Sequence, residues 1–302
     1  ADDCGSREQD HQYEIVKIIE LHLVLIGRSP PSMSPSPDSC LGSLIVETPM
    51  TVVFLHAHPD DEAIFTGGTM SMLATRGHHV VLLVATSGER GVPSASRSDL
   101  GSEREHETLR CCESLGVSDV RFLGFQDSGL HGENPQGFVH ADLGTAVSAA
   151  RAELESLDGI AALVTYDDHG IYGHPDHLQV HRCGRALQQQ LAIATLYEST
   201  VDREYLHFVE THVVVEAGLG ERPVGRGLAA SDLGMPSLLI DATVDVRPVL
   251  EAKRDAMAAH ASQLPSDAPA FALGQKNFAA VYGYEWYLRH GPRSALDELP
   301  SA

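Results

Sequence analysis

Two short clusters in this chain carry residue types that can hold a metal ion and move protons. The first, His56-Ala57-His58-Pro59-Asp60-Asp61-Glu62, follows the apolar run Thr51-Val52-Val53-Phe54-Leu55. The second, Tyr166-Asp167-Asp168-His169-Gly170-Ile171-Tyr172-Gly173-His174-Pro175-Asp176-His177, follows an apolar run over 160–165. Each carries a His-Pro-Asp string downstream of an expected strand. The acids of the first cluster have an ordinary structural use, with Pro59 at an early helical position and Asp60, Asp61 and Glu62 facing the positive end of a helix. That use leaves His58 without a role. If the clusters meet, His58, Asp61 and His177 offer two imidazoles and a carboxylate to one metal and leave a position for water, the ligand set of hydrolytic Zn2+, one ion per chain. His174 and His177 share one side of a helical turn, so with His177 on the metal His174 faces the substrate. His181, one turn further on, is the alternative ligand, although it lies deeper along the helix, where packed or surface histidines are common.

Whether the clusters meet depends on the elements that carry them. The runs at 51–55 and 80–84 are short and β-branched, as buried strands are, and 120–123 and 160–165 read as the next strands. Helical stretches at 63–76, 103–115, 143–157 and 176–191 separate them. Such alternation implies an α/β, Rossmann-like fold, a mainly parallel sheet with helices on both faces, whose ligand sites lie beyond the carboxyl ends of the strands. The remainder, with strands expected at 213–216 and 238–240 and a helix at 249–262, completes the same domain. Pro30, Pro31, Pro35 and Pro37 stand among serines and mark a linker. The chain therefore divides into an N-terminal extension and linker (1–48) with one amphipathic helix, a catalytic domain (49–293) and a tail (294–302).

Composition narrows the partners. A chain of 302 residues, 43% hydrophobic, can bury one large core. Its 21 Lys+Arg stand against 42 Asp+Glu, and a net charge of -21 repels phosphate backbones and anionic bilayers, so neither nucleic acid nor membrane is expected as a partner. The apolar run at 15–26 is interrupted by Lys17, Glu20 and His22 and falls short of a span. Acidic residues precede it, unlike a signal peptide. Five cysteines without C-x-x-C spacing fit a reducing cytoplasm.

With these motifs the chain resembles the LmbE-like, or PIG-L, family of zinc N-deacetylases that act on N-acetylglucosaminyl compounds. Ser87-Gly88-Glu89-Arg90-Gly91, Arg104, Leu123-Gly124-Phe125-Gln126-Asp127-Ser128-Gly129 and Ala259-His260-Ala261-Ser262-Gln263 are similar to the actinobacterial branch that serves mycothiol chemistry. The likeness spans about 51–291. That branch often has Ser after His-Pro-Asp-Asp-Glu, and Ala63 stands there in this chain.

The resemblance implies hydrolysis of the acetamide of a small amino-sugar glycoconjugate. Amide hydrolysis needs an activated water, a stabilised oxyanion and a proton for the departing nitrogen. Asp60 is the candidate base, beside the ligand Asp61 and pointing elsewhere, and the resemblance implies the same. His174 would donate a proton, with Asp176 holding it charged, and Tyr172 would assist the oxyanion. Arg104 and Asp127 resemble family positions that grip sugar hydroxyls; for Arg104, set among Glu103, Glu105 and Glu107, surface ion pairing is the competing reading. Glu89 and Arg90 suit a loop over the site or a solvated turn. Cys111 and Cys112 are expected as packed small residues, His78 and His79 as turn residues, the glycines of 218–227 as a loop, and Tyr282, Tyr284, Trp286 and Tyr287 as an aromatic cluster closing the core. Three rivals stand: an amidase that cleaves a larger amide in a thiol conjugate, a deacetylase of an N-acetylglucosamine-bearing antibiotic, and a metal- or sugar-binding module without turnover. Retention of Asp60 and His174 argues against the last.

Overall fold

Val52 and Phe54 point to one side of the first strand and Val53 and Leu55 to the other, and all four are fully buried. Burial on both faces explains why the run is continuously apolar and not alternating. The computed structural model describes residues 48–91, 99–209 and 233–301. Its elements run β1 (Thr51–His56), a π-helical turn (Glu62–Thr66), α1 (Gly67–Thr75), β2 (His79–Thr86), α2 (Leu100–Leu115), β3 (Asp119–Phe125), α3 (Leu143–Leu154), β4 (Ile160–Tyr166), α4 (Pro175–Gln190) and β5 (Thr195–Thr200). After these come α5 (Arg203–Phe208), β6 (Ala242–Asp245), α6 (Leu250–Ala259), α7 (Gln275–Tyr282) and β7 (Tyr284–His290).

The strands form one 7-stranded sheet in the order β3-β2-β1-β4-β5-β7-β6. Strands β1 to β5 pair in parallel, and β7 pairs antiparallel with both β5 and β6. Val52 and Phe54 pack with Leu73 of α1, Cys111, Cys112 and Leu115 of α2 and Met257 of α6. On the opposite face Val53 and Leu55 pack with Ala146, Val147 and Leu154 of α3 and Val180 and Leu187 of α4. Each large apolar side chain so enclosed contributes roughly 1.5–3 kcal/mol.

From β1 the chain winds outward one way through β2 and β3 and returns to wind the other way through β4 and β5. The reversal falls between β1 and β4, where open α/β sheets form a crevice at the strands' carboxyl ends. Both chemistry-bearing clusters begin at those two ends.

The C-terminal part departs from expectation in two places. Residues 238–240 are not a strand: Ser237–Leu239 is a 3-10 turn, with Leu238 93% exposed. The edge strand lies just beyond, where Val244 points inward against β7. Residues 294–301 are not a loose tail. Ala295, Leu296 and Leu299 are buried in the core, Ser294 and Asp297 form a capping box, and Asp245 N–H donates to Pro300 O at 2.9 Å. The expected helix near the N-terminus, the linker, the strand at 213–216 and the glycine loop at 218–227 lie outside the described residues. Cys111 and Cys112 are buried, as are Trp286 and Tyr287. His79 opens β2, and His78 is buried, its Nδ1 accepting the Met50 N–H at 3.2 Å. Among the described residues no helix is long and apolar enough to cross a membrane.

Candidate active site

Five residues separate the end of β1 from the π-helical turn, and the site is built around this loop. Asp61 Oδ2 lies 3.3 Å from His58 Nδ1 and 3.3 Å from His177 Nε2, so the two clusters do meet. The other nitrogen of each ring is already engaged: His58 Nε2 with Asp176 Oδ2 at 3.3 Å, and His177 Nδ1 with Gly170 O at 3.2 Å. A hydrogen bond on one imidazole nitrogen fixes the tautomer and turns the lone pair of the other to a shared point, the arrangement found around ligating histidines.

The electrostatics fit a cation at that point. Burial disfavours a charge on His58, but Asp127, Asp176 and Asp61 outweigh it and raise the imidazole pKa well above its ordinary value. Burial likewise opposes ionisation of Asp61, and the His177 and His58 imidazoles overcome this, so its pKa lies well below the usual range. Two imidazoles and a carboxylate in a buried pocket suit a divalent metal of the zinc type. His58, His174 and His177 also offer ligand atoms within 4.8 Å of one another, so a three-histidine set competes with the set containing Asp61.

Tyr166, the last residue of β4, had no assigned role in the sequence. Its hydroxyl donates to Asp61 Oδ2 at 2.9 Å and accepts the Ala57 N–H at 3.0 Å. Its ring stacks on His177 with centroids 4.2 Å apart. Burial raises the phenol pKa well above ordinary, so the proton stays to be donated. Gly170 has φ 61°, and a Cβ there would meet the His177 Cβ at 2.8 Å, so only glycine lets this turn pass under the ring. Tyr166→Phe is expected to weaken metal retention roughly 10- to 100-fold, as loss of an outer partner of a ligand does; metal content after dialysis checks this, and full retention would reduce the hydroxyl to support for the loop.

Asp60 sits beside the convergence point but not in it. It adopts φ 107°, a region costly for an L residue, on the order of 1–3 kcal/mol. Its carboxylate Oδ2 is 3.1 Å from Arg104 Nη2, and its side chain is 20% exposed. Burial, opposed by Arg104 and reinforced by the Asp61 charge, raises its pKa to about 6, near the range suited to a general base at neutral pH.

Arg104 corrects the reading of surface ion pairing. It is buried, and its guanidinium donates to Gly88 O at 2.6 Å, to Pro59 O and to Asp60. It braces the loop between β1 and the π-helical turn. Glu107, one turn along α2, is buried too and holds Ser262.

His174 caps α4, its Nδ1 accepting the Asp176 N–H at 3.2 Å. Burial and the neighbouring His58 and His177 lower its pKa well below ordinary. A neutral ring that accepts at Nδ1 carries its proton on Nε2. The Asp176 carboxylate does not hold His174 in place: its hydrogen bonds go to Ser128 N at 2.9 Å, to Ser128 Oγ and to His58. Burial pushes its pKa up, yet these bonds prevail and bring it to about 2. The Tyr172 hydroxyl is 3.4 Å from His177 Nε2. Asp127 is buried with Oδ1 3.8 Å from His58 Nε2, and its N–H is taken by Glu89, so the loops after β2 and β3 border the same pocket. His181 turns away, its Nδ1 3.1 Å from Tyr166 O and 3.2 Å from Glu198 Oε1.

Residues 53–188 match the family model described as PIG-L, GlcNAc-PI de-N-acetylase. A 1D-myo-inositol 2-acetamido-2-deoxy-alpha-D-glucopyranoside deacetylase of Salinispora arenicola is 36% identical over 260 residues, covering 78% of this chain and 83% of the relative. Among solved structures, a deacetylase of the teicoplanin biosynthesis pathway superposes with a TM-score of 0.54 at 18% identity, covering 82% of this chain and 100% of that one. The 4-carboxy-2-hydroxymuconate hydratase GalB of Pseudomonas putida shares the fold with a TM-score of 0.50 at 14% identity, over 82% of this chain and 98% of its own. A fold common to deacetylases and a hydratase leaves the reaction to be argued from the site.

Proposed function

Since the chain belongs to the PIG-L family, we propose that it is a zinc-dependent de-N-acetylase that hydrolyses the acetamide of an N-acetylglucosaminyl glycoconjugate, releasing acetate and a free amino sugar. The observation that carries this reading is the meeting of His58, Asp61 and His177 with Asp60 alongside but outside their cluster.

His58, Asp61 and His177 would hold the ion. Bound there, it would acidify a water molecule and polarise the acetyl carbonyl. Asp60 takes the proton of the attacking water as the C–O bond forms. Asp60 then delivers that proton to the nitrogen as the C–N bond breaks, while His174, with its proton on Nε2, donates a hydrogen bond to the developing oxyanion and the Tyr172 hydroxyl supplies a second donor. Asp176 acts on the ligand side, orienting His58. Asp127 borders the pocket where sugar hydroxyls would sit, whereas Arg104 is committed to the loop and contributes through Asp60. A small soluble substrate and a cytoplasmic setting fit the acidic charge and the absence of paired cysteine motifs.

A panel tests the assignment: 1D-myo-inositol 2-acetamido-2-deoxy-α-D-glucopyranoside, N-acetylglucosamine, an N-acetylglucosaminyl antibiotic precursor and a thiol-conjugate amide, each assayed for acetate or amine release with zinc restored. Preference for the inositol glycoside matches the relatives. Preference for the thiol conjugate would overturn the deacetylase reading, and silence on every member would favour a binding module.

Residues 1–48 are expected to contribute nothing to turnover, since every group named above lies beyond them. A chain beginning near Thr51 should keep kcat within about twofold, a free-energy change well under the 1.4 kcal/mol of a tenfold effect; loss of most activity from a folded truncation would give the extension a part in the site.

A further inference from the structure

We propose that Glu62 and His260 form a positioning pair for Asp60, acting through its backbone and touching no reactant. The inference rests on Asp60 being the proton acceptor. Glu62 Oε2 accepts the Asp60 N–H at 2.9 Å, and Glu62 Oε1 lies 2.6 Å from His260 Nε2. Both side chains are fully buried. Among the described residues His260 Nδ1 has no hydrogen-bond partner, so the contact to Glu62 is the polar interaction that defines this ring.

Asp60 needs such support. Its φ of 107° is not a conformation an L residue keeps unaided, and surroundings that over-determine it must hold it there. Arg104 of α2 grips the carboxylate, and Glu62 grips the amide. His260 stands just after α6 and brings the C-terminal part of the chain to the base. Its segment is fixed to α2 as well, because Ser262 donates to Glu107 through N at 2.8 Å and Oγ at 2.6 Å. Helix α2 therefore braces Asp60 directly through Arg104 and indirectly through the 260–262 segment.

Two plainer readings compete. Cys111 lies close enough to join Glu62 and His260 in a metal cluster. Burial holds the Cys111 thiol pKa well above ordinary, and the short contact already engages Glu62 Oε1 and His260 Nε2, so a thiolate ligand set is disfavoured. The pair could also be a fold anchor only. Buried pairs are weak evidence of stabilisation, and breaking one is costly wherever it lies.

The test uses the full chain with metal content measured throughout. His260→Ala is expected to lower kcat for 1D-myo-inositol 2-acetamido-2-deoxy-α-D-glucopyranoside roughly 10- to 100-fold, the effect of a misplaced catalytic group, with KM within about threefold and metal retained. His260→Gln keeps one N–H donor toward Glu62 and should recover most of the loss. In the Asp60→Asn background His260→Ala should cost little more, since groups that act as a unit are not additive. Hydrogen exchange of the 57–66 segment should rise in His260→Ala and return in His260→Gln. Should His260→Ala fail to fold, Glu62→Gln replaces it, because one amide cannot accept from both partners as the carboxylate does. Additive losses, a KM effect with unchanged kcat, loss of metal, or no rescue by Gln would overturn the inference while leaving Asp60 as the base. An Asp60→Asn enzyme with wild-type turnover would instead overturn the base assignment, and the positioning role with it.

Discussion

Asp60→Asn is expected to keep its metal and lose a factor on the order of 10² to 10⁴ in kcat, the usual contribution of a positioned general base. The substitution preserves size and much of the hydrogen bonding to Arg104 but removes the proton acceptor. The geometry separates Asp60 from the ligand point: its carboxylate is directed to Arg104, whereas Asp61 faces both imidazoles. Its pKa of about 6, raised by burial and the Asp61 charge against the pull of Arg104, leaves it largely ionised at neutral pH and basic enough to take a proton. Zinc content and turnover measured on one preparation give the answer. Near-normal deacetylation would move the base to His174.

Asp61→Ala should fail at the preceding step. Removing a ligand carboxylate that also accepts from Tyr166 and the His58 N–H should weaken metal retention by more than the roughly 10- to 100-fold typical of an outer partner. Activity should then be nearly absent after dialysis and return in part with added zinc. His174→Ala is the control, since a hydrogen-bond donor to the oxyanion can be lost without losing the ion. Metal analysis of the two variants decides between the ligand sets: retention in Asp61→Ala with loss in His174→Ala would assign the three-histidine set. Chelation of the unaltered chain should abolish turnover reversibly.

The alternation of apolar runs made the parallel sheet legible, because strands buried on both faces must be continuously apolar and their helices must intervene. The two His-Pro-Asp strings were legible for the same reason, standing where such strands end. Tyr166 was harder to read. It closes an apolar strand and looks like packing, and its hydroxyl gains a role only when β4 lies beside β1. Arg104 misled through its neighbours in sequence, since Glu103 and Glu105 are on other sides of α2 while the arginine points inward. Glu62 and His260 are far apart in the chain, and periodicity cannot pair them. The apolar residues near 238–240 suggested a strand, but among the described residues no neighbouring strand accepts them, and the pairing edge is offered to 242–245.

The position of β4 beside β1 also has a meaning for synthesis. As the chain emerges N-terminus first, His58 and Asp61 appear without the third proposed ligand, and the turn bearing His177 follows after three further helices and three further strands have been made. With the proposed ligand set, a nascent chain would have no specific metal site until β4 has joined β1, so metallation would be a late event of maturation and a report on correct assembly. Fragments that end before α4, as produced by premature termination or proteolysis, should escape metal capture altogether.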